Sequence, residues 1–77
     1  MKEIIIKVPT SMRFSRAYEV YFNNFLKSYI EIVGFSFNYE DKSINMELVV
    51  NTGDPEYFAE HLTNCLKIKG TSFTIWN

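Results

Sequence analysis

Cysteine, histidine, proline and glycine are scarce in this 77-residue chain, which holds one, one, two and three of them. A lone Cys65 excludes an intramolecular disulfide and fits a reducing compartment, so a cytoplasmic protein is expected. His61 and Cys65 stand four residues apart, yet zinc takes three or four ligands, and no metal or cofactor is expected. Charge of one sign is also lacking. Eight Lys and Arg against nine Asp and Glu give a formal net charge of −1, which is neither the basic footprint of a nucleic-acid binder nor the acidic excess of a nucleic-acid mimic. No run approaches the ~18 apolar residues of a membrane helix. The opening MKEIIIKVP has too short an apolar stretch for a signal peptide. Internal repeats, linkers and low-complexity tracts are absent, so residues 1–77 are expected to form a single domain.

Aromatic side chains are what the chain has in quantity, at 17% of residues. A small domain buries only about 60% of its unfolded surface, and rings that each remove on the order of 150–250 Å² from water supply a dense core. They concentrate in Phe14 to Tyr29. Wound at about 100° per residue, this stretch gathers Phe14, Tyr18, Tyr21, Phe22, Phe25 and Tyr29 on one side, flanked by Ala17 and Leu26. Arg13, Arg16, Glu19, Asn23, Asn24 and Lys27 fall opposite. The helix is expected to start within Ser11–Ser15, with Thr10, Ser11 or Ser15 as its cap, and to end near Ser28.

Lys2–Val8, rich in β-branched residues and stopped by Pro9, reads as a first strand with Ile4, Ile6 and Val8 on the buried face. Taking Asp41-Lys42 as a two-residue turn opposes Glu40 to Ser43, Tyr39 to Ile44, Phe37 to Met46, Phe35 to Leu48 and Val33 to Val50. Every apolar pair then shares one face, whereas a one-residue slip would oppose rings to Asn45 and Glu47. Asp54, Pro55 and Glu56 form a strong start for a second helix. Phe58, Leu62, Cys65 and Leu66 recur along it at helical spacing, with His61 at the border, and Gly70 follows its end. Thr71–Asn77 alternates as a closing strand. The order β-α-β-β-α-β resembles the ferredoxin-like architecture, an α+β fold with a four-stranded antiparallel sheet, two helices on one face and strands two and four at the edges. That fold hosts unrelated functions.

The residues leave few sites for chemistry. Cys65 reads as a small core hydrophobe rather than a reactive thiol, which needs an exposed electropositive setting. Thr10, Ser11, Arg13 and Arg16 crowd the start of the first helix, where cations oppose the helix dipole and an anion would satisfy both the guanidinium groups and the free N–H groups. The uncovered sheet face would carry Ile5 and Val49 on the central strands, with Lys7, Asn45 and Glu47 beside them and Trp76 at the edge. An apolar centre in a polar rim has the anatomy of a protein interface. RNA recognition of the RRM type needs stacking rings on the first and third strands, and none stand there.

A non-enzymatic protein-binding module is therefore expected, with Ile5, Lys7, Glu47, Val49 and Trp76 as partner-binding residues and a homodimer or a host protein as partner. The abundance of Ile, Asn, Phe, Tyr and Lys fits an AT-rich coding sequence, which suggests a phage or mobile-element inhibitor of a host defence protein acting in the host cytoplasm. The alternative is a small-ligand or anion-sensing regulatory domain using the Arg13/Arg16 cluster, and nucleic-acid binding ranks third.

Overall fold

The computed structural model describes residues 1–10 and 16–76. Six elements follow one another: β1 (Lys2–Pro9), α1 (Arg16–Lys27), β2 (Ile32–Glu40), β3 (Ser43–Val50), α2 (Pro55–Leu66) and β4 (Ser72–Trp76). The strands form one antiparallel sheet in the order β2-β3-β1-β4. This is the ferredoxin-like α+β arrangement read from the sequence. Ser11, Arg13, Phe14 and Ser15, expected at the start of the first helix, lie outside the described residues.

The alternation in β1 and β3 explains the layering. Ile4, Ile6 and Val8 join Ile44, Met46, Leu48 and Val50 in a single buried cluster with Phe22 and Leu26 of α1 and Phe58, Ala59, Leu62 and Leu66 of α2. Strand residues of one parity share one face, so both helices cover the same side of the sheet. Phe22 is 0% exposed. Its ring lies 6.0 Å from that of Tyr18, 5.5 Å from Tyr21 and 6.3 Å from Phe37. Tyr29 then carries the aromatic contact across to α2, with ring centroids 5.3 Å from Phe25 and 5.8 Å from Phe58.

Four packing expectations need correction. Tyr21 is 50% exposed and Tyr39 43% exposed, although the sequence pattern puts both on core-facing sides of their elements. Tyr21 precedes Phe22 by one residue, about 100° around the helix. A buried stripe centred on Phe22 and Leu26 therefore leaves it on the margin, stacked along Phe25 at 6.5 Å. Val33 does not oppose Val50. A bulge between Ile32 and Gly34 puts Ile32 opposite Val50 and leaves Val33 exposed, because an extra residue in one strand loses its partner. Cys65 is only partly buried. Ala59, Leu62 and Leu66 fill the α2 face of the core instead.

The turns are set locally. Glu40 pairs with Ser43 across Asp41-Lys42, and Lys42 takes a left-handed φ of 66°. α1 ends in tightened bonds, with the Ser28 hydroxyl donating to the Phe25 carbonyl at 2.6 Å and the Tyr29 N–H to the Leu26 carbonyl at 3.3 Å. At the head of α2, Asp54 Oδ1 accepts the Tyr57 N–H at 3.1 Å, with Pro55 first in the helix. Asp54→Ala is expected to reduce stability by about 1 kcal/mol through loss of this cap. Urea unfolding of the two proteins checks it, and equal midpoints would show that the cap contributes nothing.

Candidate functional site: the open face of the sheet

The face away from the helices is organised by register. Val49 and Trp76 flank Glu3 on either side, Glu47 and Thr74 flank Ile5, and Asn45 and Ser72 flank Lys7. On the β2 side the same rows continue with Gly34, Ser36 and Asn38. The five residues singled out from the sequence, Ile5, Lys7, Glu47, Val49 and Trp76, therefore stand in three successive rows of one surface. Ile5 and Val49 are half-buried by their neighbours, Lys7 and Glu47 are exposed, and Trp76 is 55% exposed at the β4 edge.

A shallow groove of about 300 Å³ runs across this face, lined by Glu3, Ile5, Gly34, Ser36, Glu47 and Val49. Its opening toward β2 follows from Gly34, whose missing side chain would have met no atom within 4 Å. Glu3, Gly34 and Ser36 were not singled out from the sequence. The signal for them was nonetheless present, because the hairpin register already put Gly34 and Ser36 on the parity of Val49 and Glu47.

The electrostatics of the groove are one-sided. Glu3 and Glu47 stand on either side of the Ile5/Val49 floor, and Lys7 lies a row away. Nearby, Asn45 Nδ2 donates to Glu40 Oε1, while Asn45 Oδ1 is buried and has no hydrogen-bond partner. The face thus offers acceptors and carboxylates around an apolar floor. Hydrogen-bond donors and cations on apolar stems are the chemical complement of such a surface.

Other groups are less convergent. Cys65 Sγ lies 3.6 Å from His61 Nε2 on the exposed side of α2. The His61 ring is 6.1 Å from that of Tyr29. Partial burial raises the pKa of the Tyr29 phenol, with its hydrogen bond to Cys65 and the Glu31 carboxylate adding to the shift. Tyr39 is shifted the same way, by partial burial and then by the Glu19 carboxylate. A second hollow of about 390 Å³ lies beside Tyr29, Glu31, Asp54, Tyr57 and His61, but the Asp54 carboxylate there is already engaged in capping α2. Among the described residues, no three or more His, Cys, Asp and Glu side chains are placed to hold a metal.

At the expected anion site, Thr10 is buried and its N–H donates to the Lys42 carbonyl at 2.8 Å. That N–H is committed to extending the sheet. Ser11, Arg13 and the Arg16 side chain lie outside the described residues. Among the described residues, no helix is long and apolar enough to cross a membrane. No protein-family model matches the chain, and comparison with curated proteins and with solved structures finds no significant match.

Proposed function

We propose that this chain is a non-enzymatic protein-binding module that holds its partner on the open face of the sheet. The observation that supports this reading is the groove itself, with an apolar floor of Ile5 and Val49 between Glu3 and Glu47 on the two central strands. Such a floor is rigid, because β1 and β3 are paired on both sides. Trp76 at the edge adds an exposed ring of the kind that anchors interfaces. The partner is a protein that presents Lys or Arg among apolar residues. Composition favours a phage or mobile-element protein that inhibits a host factor, a defence protein in particular, in the host cytoplasm.

Val49→Lys tests the reading, since it fills the groove floor with a long charged side chain while leaving the helix face of β3 intact. A protein captured from host lysate by the parent is expected to bind Val49→Lys at least about tenfold more weakly. It should bind Lys27→Glu, on the polar face of α1, as it binds the parent, with all three proteins melting alike. Capture unaffected by Val49→Lys and lost with Lys27→Glu would move the interface to the helices and refute the proposal.

A further inference from the structure

The outer edge of β2 is the second surface with content. It lies at the end of the sheet and is nine residues long, against five for the β4 edge. The phase of its backbone follows from neighbouring bonds. Thr10 N–H donates to the Lys42 carbonyl, so Lys42 faces β1, and Asn51 N–H donates to the Glu31 carbonyl, so the odd residues of β3 face β2. In an antiparallel ladder the direction alternates along each strand. Ser36 and Asn38, opposite Glu47 and Asn45, therefore turn their backbone groups to β3. Phe35 and Phe37 turn theirs outward.

Natural edges are blunted by Lys, Pro, bulges or inward-pointing charge; β2 is bulged at Val33, but the part beyond it, GFSFNYE, contains no Lys, Arg or Pro and only Glu40 as a charge. Its rings are incompletely covered as well. Phe35 and Phe37 are half-buried, with Phe22 of α1 against Phe37.

We infer that the β2 edges of two copies of this chain pair antiparallel about a two-fold axis at Ser36. In this register Phe35 opposes Phe37 of the second copy and exchanges both backbone bonds with it, twice over by symmetry. Gly34 opposes Asn38, and Ser36 opposes its own copy. Rings meet rings on the helix side and small polar groups meet on the other. The paired segment runs from Gly34 to Asn38, stops at the bulge before Gly34, and holds no charged residue. A register shifted by one residue would set Phe against Ser and is excluded by the pleat.

The occupant is a second copy because a two-fold pairing of Gly34–Asn38 with itself sets rings against rings and uncharged polar groups against one another. Stacking the open faces about an axis through Ile5 does not. A two-fold axis across the strands at Ile5 would place Glu47 over Glu47, and one along β1 would place Glu3 over Glu3. The edge dimer adjoins the groove, since Gly34 and Ser36 belong to both. It joins two four-stranded sheets into one continuous sheet and leaves both open faces on the same side, which makes the assembly bivalent.

The test combines sedimentation equilibrium with hydrogen exchange across a micromolar concentration series. The 9.1 kDa chain is expected to sediment at twice its mass. The Phe35 and Phe37 amides should exchange at least about tenfold more slowly in the dimer than in the dilute monomer. Ser36→Lys and Ser36→Glu, exposed and clear of the core, are each expected to be folded monomers, and mixing them should restore the dimer. Thr74→Lys, on the β4 edge, should leave it unchanged. A monomer at every concentration overturns the inference. So does a dimer in which Phe35 and Phe37 exchange at the monomer rate, or one abolished by Thr74→Lys and not by Ser36→Lys.

Discussion

Phe22→Ala is expected to lower the free energy of unfolding by about 3–5 kcal/mol, the range for deleting a packed ring. Phe22 is fully enclosed, and its ring touches Tyr18 and Tyr21 within α1 and Phe37 across on β2. Removing it opens a cavity where α1 meets the edge side of the sheet, and the surrounding rings are too large and too constrained to collapse into it. A domain of this size holds roughly 5 kcal/mol in reserve, so the variant should be largely unfolded at physiological temperature. Phe25→Ala, at a half-buried ring, should be clearly milder. Urea unfolding monitored by circular dichroism decides both. Equal midpoints for Phe22→Ala and the parent would show that α1 is not held to the sheet by this ring.

Ile6→Ala against Ile5→Thr should give the second-largest contrast. Ile6 is 0% exposed and sits on a central strand, paired with Met46 on one side and Phe73 on the other, on the face that the helices cover. Its truncation should cost about 2–5 kcal/mol. Ile5, one residue earlier, points to the open face between Glu47 and Thr74, and a β-branched threonine keeps its strand preference. Ile5→Thr should therefore change stability by less than about 1 kcal/mol while weakening partner binding at the groove. If the two substitutions destabilised equally, the open face would be a second buried layer and not a binding surface.

The adjacent isoleucines show how the alternation carries information. A strand with one wet side must put polar residues at every second position, so Glu3, Lys7, Asn45 and Glu47 mark the open face in the sequence itself. The turn at Asp41-Lys42 and the start of α2 at Asp54-Pro55 were equally legible, because both depend on a few neighbouring residues. From these came the strand order, the pairing of Phe35 with Leu48 and Phe37 with Met46, and the placing of Ile5 and Val49 on one surface.

What depended on distant groups was not legible. Val33 fits the alternation as well as Ile32 does. Only the close of the sheet at Asn51, whose N–H takes the Glu31 carbonyl, requires the extra residue to bulge. Tyr21 and Phe22 are both aromatic, and the angle at which α1 meets β2 decides which of them is enclosed. Cys65 lost its place in the core because Ala59, Leu62 and Leu66 already fill the α2 side of it. The groove came from the neighbourhood as well: Glu3 and Glu47, 44 residues apart along the chain, become two walls of one acidic surface only when β1 and β3 pair. Local propensity and periodicity thus determined the elements and their faces. Tertiary packing alone decided the margins, because a side chain at the border of a stripe is buried or exposed according to what stands opposite it.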